Sequence, residues 1–267
     1  MDSLRGSVRK RTDPPVLILA VDGATADDET MTSSTTPART PMFVDDPGTG
    51  LVIAGMRRYN LFTAVWFLGR HRRLITELAR TSGAGPGDDA VDIGCGPGKL
   101  VRALGSRVGS RGSVAGIDPS ASAVTYNQRH DDHPNHRYIQ APAQDLPLPD
   151  ASIDVVTCTF VMHHIPEEHR AAAISEMWRV LRPGGRLLLA DAHPTRWMRF
   201  LFSRSARRHG DGDPFDAVDI RRYIPLLRSA GFANVEYTTS RHMTGIVMAS
   251  KASQRGVAHP SAGPHLP

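Results

Sequence analysis

The chain has 267 residues, enough for one large domain or two small ones, and its hydrophobic content of 40% excludes disorder throughout. The formal net charge of +5 is too small to indicate nucleic acid by itself. Two cysteines, Cys95 and Cys158, cannot form a disulfide framework, and no apolar stretch approaches the length of a membrane span. These features predict a soluble, cytoplasmic protein.

The first fifty residues differ from the rest in composition. Between Asp22 and Gly50 large apolar residues are few, and Thr, Ser, Asp and Pro predominate. Such a segment buries too little apolar surface to offset the entropy lost on ordering. We therefore predict a disordered N-terminal tail at 1–50, a folded domain at 51–250 and a flexible C-terminal tail at 251–267.

From residue 51 onward, apolar residues recur at helix or strand spacing. Two N-terminal helices with a break at Gly69 are predicted first, and strands then alternate with helices. The predicted strands are 90–93, 113–118, 137–140, 153–160 and 187–190, and the helices between them include 100–108, 121–129 and 171–181. Such alternation produces parallel βαβ units with helices on both faces of the sheet.

The end of the chain breaks the alternation. After a last predicted helix, which stops at Gly231, strands at 235–239 and 246–249 follow each other without a helix between them and should pair antiparallel. The predicted fold class is α/β, a Rossmann-like doubly wound sheet that is mostly parallel with its last strand antiparallel, with the N-terminal helices as a cap.

A glycine-rich loop follows the first strand of the alternating region and reads DIGCGPG at residues 92–98. Ligands of doubly wound sheets bind beyond the carboxyl ends of the strands, and alternate glycines bring backbone N–H groups close to a ligand. A phosphate-binding Walker A loop is excluded because Leu100 stands where Ser or Thr is required, and Lys99 breaks a nicotinamide fingerprint. A plain turn is the alternative interpretation.

Asp118 ends the next predicted strand, about 20 residues after the glycine loop. A carboxylate at that position can accept hydrogen bonds from both hydroxyls of a ribose. The alternative is that Asp118 or Ser120 caps the following helix, and both interpretations can hold together.

Several ordered motifs together resemble the class I S-adenosylmethionine-dependent methyltransferases. They are VDIGCGPG, GIDPS, DLPLPDASIDVV, the pair His163 and His164, and LRPGGRLLLAD. The resemblance covers roughly residues 57–250 and is strongest to the small-molecule branch that includes the ubiquinone/menaquinone C-methyltransferases. It implies a seven-stranded sheet, S-adenosylmethionine as cofactor, and in-line methyl transfer to a small hydrophobic acceptor such as a quinol, phenol, polyketide or lipid-like molecule.

The same resemblance implies a set of cofactor-binding residues. They are Tyr59, Asp92, Gly94, Cys95, Gly96, Gly98, Asp118, Pro119, Ala143, Gln144 and Thr159. In relatives an acid after the third strand binds the adenine amino group, and here Pro142 occupies that place. Since proline has no side-chain acceptor, the contact must come from the backbone at Ala143 or from Gln144.

Three histidines that follow strand ends are candidate general bases: His163, His164 and His193. Imidazole titrates near neutrality, which suits proton removal from a phenol or enol. The alternative is that the adjacent pair packs beneath the cofactor or caps a helix. Their spacing does not fit a metal site, so no metal is predicted.

The segment 194–208 interleaves large apolar residues with arginines. It predicts a cap over the substrate entrance that suits a hydrophobic or anionic substrate, or transient contact with a membrane surface; solvated arginines on ordinary helices are the alternative. No obligate protein partner is predicted, and no nucleic acid, because TFVM at 159–162 lacks the motif of base methylases. A non-catalytic cofactor-binding protein and, less favoured, a nucleic-acid methyltransferase stay open as alternatives.

Overall fold

The computed structural model describes residues 41–46, 48–54, 71–193 and 218–253. Tyr59, the first predicted helix and the segment 194–208 lie outside these residues. The described strands are β1 Phe43–Asp46, β2 Gly50–Ile53, β3 Asp89–Ile93, β4 Ser113–Asp118, β5 His136–Gln140, β6 Ile153–Thr159, β7 Leu181–Ala192, β8 Phe232–Ser240 and β9 Thr244–Lys251. The described helices are α1 His71–Thr81, α2 Lys99–Val108, α3 Ala121–His130, α4 Glu167–Val180 and α5 Ile224–Ser229, with 3₁₀ turns at Gly109–Arg111 and Ile220–Tyr223.

Seven strands form one sheet in the order β5-β4-β3-β6-β7-β9-β8. Strands β5 to β7 pair in parallel, whereas β9 is antiparallel to both of its neighbours, β7 and β8. The predicted fold class is therefore confirmed. The chain winds outward from β3 in both directions, so the carboxyl ends of β3 and β6 flank the point where ligands of such sheets bind.

Helices cover both faces of this sheet. Val91 and Ile93 of β3 pack into the cluster that contains the apolar residues of α4, whereas Ala90 packs with α1 and α2. Strands buried on both faces carry near-continuous apolar runs, and for this reason the strands in the middle of the chain could be recognised in the sequence. In the described residues no helix is both long and apolar enough to cross a membrane.

The boundary between α4 and β7 differs from the prediction. The helix ends at Val180, before Leu181, which the helical spacing had included, and β7 begins there because Leu181 pairs with Ile153. The backbone N–H groups of Ala151 and Ser152 donate to the carbonyls of Arg179 and Val180, at 3.0 and 2.9 Å. The last carbonyls of the helix are thus bonded by a neighbouring turn, which a periodicity argument does not contain.

Strands β1 and β2 form a separate antiparallel hairpin that the sequence analysis missed. One carboxylate oxygen of Asp46 accepts the N–H groups of Gly48 and Thr49, each at 2.9 Å, and so fixes the turn. The predicted domain boundary falls inside this hairpin. Residues 43–46 and 48–50, which the sequence analysis placed in the N-terminal tail, lie in this hairpin and its turn.

Candidate active site

Two clefts open at the carboxyl edge of the sheet and share Gly94, Thr159 and Phe160 in their walls. The larger, of about 700 Å³, is also lined by Asp118, Pro119, Pro142, Ala143, Gln144, His164 and residues of the β1–β2 hairpin. The smaller, of about 390 Å³, is also lined by His71, Asp92, Cys95, Gly96 and Lys99. The glycine loop and the end of β6 therefore contribute to the walls of both clefts.

The glycine loop follows β3 directly and is fixed to β4. The N–H groups of Gly94 and Cys95 both donate to the carbonyl of Ile117, at 2.7 and 3.1 Å. Gly94 and Gly96 have φ values of 70° and 46°, in the left-handed region that favours glycine. A Cβ at Gly94 would collide with the side chain of Val161. A ligand can therefore approach this backbone closely only because position 94 has no side chain.

Gly98 and Cys95, two other predicted cofactor-binding residues of the glycine loop, have different surroundings. Gly98 is not among the residues that line either cleft, and a Cβ built there would lie 2.8 Å from the hydroxyl of Tyr138. Cys95 is 6% exposed, and burial raises the pKa of its thiol. Cys95 therefore stays a protonated wall residue rather than a nucleophile.

Asp118 lies at the end of β4 on the wall of the larger cleft and is 6% exposed. One of its carboxylate oxygens accepts the N–H of Gly96 at 2.8 Å, and the other accepts the N–H of Ser120 at 2.9 Å. Burial raises the pKa of this carboxyl group, and the two backbone hydrogen bonds oppose the rise. The hydroxyl of Ser120 caps α3 by accepting the N–H of Ala123, so Asp118 is not needed for that purpose.

Asp92 lies on the wall of the smaller cleft and is 2% exposed. Its carboxylate accepts a hydrogen bond of 2.8 Å from the hydroxyl of Thr157 on the neighbouring strand β6. Burial raises the pKa of Asp92 to about 7; the Thr157 hydrogen bond opposes this rise and the charge of Asp118 adds to it. A cation bound next to Asp92 would favour its ionised form and lower its pKa.

The β1–β2 hairpin forms one wall of the larger cleft through Thr49, Val52 and Ile53. The carbonyl of Ile53 accepts hydrogen bonds from the hydroxyls of Ser120, at 2.6 Å, and Ser122, at 2.8 Å. The side-chain amide of Gln144 donates to the carbonyl of Gly48 at 3.0 Å. The hairpin is therefore attached to the loops that follow β4 and β5, on both sides of the cleft.

The adjacent histidines have unlike surroundings. The Nδ1 atom of His163 lies 2.6 Å from a carboxylate oxygen of Asp191, which is 1% exposed, and the other oxygen of Asp191 accepts the N–H of Ala192 at 2.8 Å. His164 lies on the wall of the larger cleft, its ring centre 3.9 Å from that of His163. Burial, followed by the nearby His163, lowers the pKa of His164 to about 3. His164 is therefore neutral at pH 7.

His193, the third candidate base, has a different partner; like His163, it is not among the residues of the described chain that line the two clefts. The Nδ1 atom of its ring lies 3.2 Å from the hydroxyl of Tyr237. Its backbone N–H donates to the carbonyl of Met243 at 2.7 Å. His163 thus has a buried carboxylate, that of Asp191, at hydrogen-bond distance. Sequence reasoning missed this carboxylate, although its place at the end of a strand next to β6 was an available signal.

Comparisons with known proteins agree with this geometry. A model of the methyltransferase domain matches residues 91–189. The chain is 37% identical over 215 residues to the ubiquinone/menaquinone biosynthesis C-methyltransferase UbiE of Ectopseudomonas mendocina (strain ymp). This alignment covers 72% of this chain and 82% of that protein. It is 35% identical over 130 residues, 47% of this chain and 56% of that protein, to a 2-phytyl-1,4-naphtoquinone methyltransferase of Nostoc sp. (strain PCC 7120 / SAG 25.82 / UTEX 2576).

The fold has a counterpart among solved structures. A SAM dependent methyltransferase from Aquifex aeolicus aligns with a TM-score of 0.54 and 21% identity, over 66% of this chain and 88% of that chain. The residues present also fit the cofactor of such enzymes, because a buried carboxylate, Asp118, and two glycines with positive φ lie on the cleft walls. The chain therefore belongs to the class I S-adenosylmethionine-dependent methyltransferases and resembles their ubiquinone/menaquinone C-methyltransferase branch.

Proposed function

We propose that this methyltransferase methylates a small hydrophobic acceptor with an ionisable ring hydroxyl, such as a quinol or phenol, and that His163 removes the proton. The contact of 2.6 Å between His163 and the buried Asp191 is the observation that carries the proposal. The quinone-related names of the similar proteins favour the same acceptor class. An alkyl or prenyl substituent would account for the predicted hydrophobic character of the acceptor.

The dyad favours His163 over its neighbours as the base. A carboxylate bonded to Nδ1 fixes the tautomer that leaves Nε2 as acceptor, and it stabilises the imidazolium that forms. His164, with a pKa of about 3, is too weak a base to take a proton from a phenol at pH 7. His193 contacts a phenol hydroxyl rather than a carboxylate.

The cofactor supplies an electrophilic methyl group, so the protein must align and enclose the reactants. Alignment can account for roughly 7–11 kcal/mol of the barrier. A base contributes about 10²–10⁴-fold when the nucleophile arrives protonated. Ionising a ring hydroxyl activates both its oxygen and the ring carbon beside it, so the dyad is compatible with O- and C-methylation.

We assign the adenosine part of the cofactor to the larger cleft. Asp118 would accept the ribose hydroxyls, with Pro119, Ala143 and Gln144 around the adenine. The carbonyl of Gly48 can only accept, so the amide nitrogen of Gln144 faces it and the amide oxygen is left as an acceptor for the adenine amino group. Gln144 would thereby provide the acceptor that an acidic residue provides in relatives at the position of Pro142.

We assign the amino-acid part of the cofactor to the smaller cleft. Asp92 would accept the ammonium group, while Gly94, Cys95 and Gly96 contribute backbone along its length. Thr159, on the wall of both clefts, would lie at the methyl end. Gly98 acts from behind the loop, and the role of Tyr59 stays a prediction.

Replacing Gly96 by Val tests the glycine loop. We expect at least about tenfold weaker binding of S-adenosylhomocysteine, because a β-branched residue at positive φ costs about 1–2 kcal/mol and its methyl groups occupy cleft space beside Ile53. Isothermal titration calorimetry measures the affinity. Gly85→Val is the matched control, since a Cβ at Gly85 meets nothing within 4 Å. Equal affinity of the Gly96 variant and the wild type would contradict the assignment.

The raised pKa of Asp92 predicts pH-dependent cofactor binding. An ammonium group beside Asp92 lowers its pKa from about 7, so binding releases a proton below that pH. The affinity for S-adenosylhomocysteine should rise about tenfold between pH 6 and pH 8. Because the folded-state pKa is above the unfolded value of 3.8, the free protein should lose stability over the same rise in pH. Calorimetric titration at several pH values measures the effect, and Asp92→Asn should bind S-adenosylhomocysteine more weakly and with an affinity that does not change with pH. A wild-type affinity that does not change with pH would refute the prediction.

The acceptor class is tested by transfer of a labelled methyl group from S-adenosylmethionine. A 1,4-naphthohydroquinone with a short prenyl chain should be methylated, and its dimethyl ether should not, because the ether has no hydroxyl to ionise. Both compounds have the same ring and chain, so hydrophobic binding alone cannot separate them. Equal labelling of the two, or labelling of amines alone, would overturn the proposed function.

A further inference from the structure

The carbonyl groups of the glycine loop are bound by side chains of the two helices that pack beside it. The side-chain amide of Asn127, in α3, donates to the carbonyl of Gly96 at 2.7 Å. The guanidinium of Arg102, in α2, donates to the carbonyl of Pro97 at 2.6 Å. The N–H of Gly96 donates to Asp118 at 2.8 Å. Both backbone polar groups of Gly96 are therefore bound by side chains, which restrains rotation on either side of its Cα.

Asn127 is fixed in one orientation. It is 0% exposed and is not among the described residues that line either cleft. Its Nδ2 atom also donates to the carbonyl of Ala123, one helical turn earlier, at 3.0 Å. Because a carbonyl can only accept, the amide nitrogen must face both partners. The donor that reaches the loop is thus held by its own helix.

The oxygen of the same amide has the opposite character. It has no hydrogen-bond donor among the described residues, and burying an unpaired amide oxygen costs free energy. A Cβ at Gly98 would collide with this oxygen, so Asn127 accounts for the glycine at position 98. The cost of the unpaired oxygen offsets part of what the two hydrogen bonds contribute to folding. The main consequence of this side chain is therefore a fixed glycine loop.

We propose that Asn127 is a positioning residue for the cofactor, acting through the carbonyl of Gly96. Glycine has wide conformational freedom, and without this bond the loop would have to be ordered when the ligand binds. Ordering a loop on binding lowers the affinity, and a loop held in advance avoids that loss. The inference rests on the proposed assignment of the glycine loop to the cofactor, and it is independent of the acceptor and of the His163 base.

Asn127→Ala provides the first test. We expect the full-length protein to bind S-adenosylhomocysteine at least about fivefold more weakly, measured by isothermal titration calorimetry. Asn135→Ala is the matched control, because the side-chain amide of Asn135 also donates to two backbone carbonyls, those of Gly109 and Gly112, at 3.0 and 2.8 Å. Asn135 lies on neither cleft wall of the described chain. This control should lower the melting temperature but leave the affinity within about twofold of the wild type.

Two further variants separate the bond to the loop from packing and from the bond within the helix. Asn127→Leu fills the space that alanine leaves empty. Asn127→Ser keeps a donor for the carbonyl of Ala123 but is too short to reach Gly96. Both should be folded by circular dichroism and should bind as weakly as Asn127→Ala.

Wild-type affinity in either folded variant, or an equal loss of affinity in Asn135→Ala, would overturn the proposal. Loss of the folded state in all three Asn127 variants would assign Asn127 to folding and would overturn it as well. Gly96→Val separates this failure from that of the loop assignment. Normal binding by Gly96→Val would contradict the assignment of the loop, whereas weak binding by Gly96→Val with normal binding by Asn127→Leu would contradict this inference alone.

Discussion

Asp118→Ala is expected to weaken the binding of S-adenosylhomocysteine by at least about a hundredfold. A hydrogen bond to a charged group contributes about 1.5–3 kcal/mol, and two ribose hydroxyls would bond to this carboxylate. Asp118 is 6% exposed on the cleft wall, so water cannot easily replace the lost acceptor. Calorimetric titration of the variant and the wild type measures the difference.

The substitution should leave the fold intact. It removes two hydrogen bonds, to the N–H groups of Gly96 and Ser120, but it also removes a carboxylate whose raised pKa shows that its charge is costly in this position. A shift of only a few degrees in melting temperature is therefore expected, measured by circular dichroism. Asp118→Asn keeps the shape of the side chain, but its amide nitrogen would face one of the two backbone N–H donors. This variant should therefore also bind S-adenosylhomocysteine poorly.

The control for this experiment is Asp132→Ala, which changes the net charge equally at an exposed position. It should bind S-adenosylhomocysteine as the wild type does. If Asp118→Ala, shown to be folded, bound within about threefold of the wild type, the ribose assignment would be wrong. Loss of the folded state in Asp118→Ala together with normal binding by Asp118→Asn would also contradict it.

The features found from sequence are those that the chain makes locally. The glycine loop follows one buried strand and Asp118 ends the next, and the topology of a doubly wound sheet brings such strand ends together whatever the exact register of the strands. The antiparallel last strand follows in the same way from two consecutive strands without a helix between them. For these features the order of elements is sufficient information.

The features that were missed depend on pairs distant in the chain. Asp191 is 28 positions from His163, and their contact requires the relative positions of β6 and β7 and the loop after β6. The β1–β2 hairpin is attached by hydrogen bonds that span 67 and 96 positions, to Ser120 and Gln144. Its strands are four residues each, too short to give a clear alternating pattern by themselves.

His163→Gln is expected to lower kcat for a protonated phenol or hydroquinone by about 10²–10⁴-fold, the contribution of a positioned base. The affinity for S-adenosylhomocysteine should stay within about twofold, because His163 is not among the residues that line either cleft. Asp191→Asn should cause a large part of the same loss, since an amide can neither stabilise the imidazolium nor fix the tautomer in the same way. Methyl-transfer rates with the prenylated naphthohydroquinone measure both effects.

A series of acceptors separates the role of a base from a merely structural one. Electron-withdrawing substituents ionise the ring hydroxyl without help, so the deficit of His163→Gln should shrink as the acceptor becomes more acidic. The double variant His163→Gln/Asp191→Asn should be no slower than His163→Gln alone, because the two residues act as a unit. His130→Gln, a change at an exposed histidine of α3, should leave every rate unaltered. A deficit that stays constant across the series would assign His163 to positioning the acceptor, and the proton would then leave through another group.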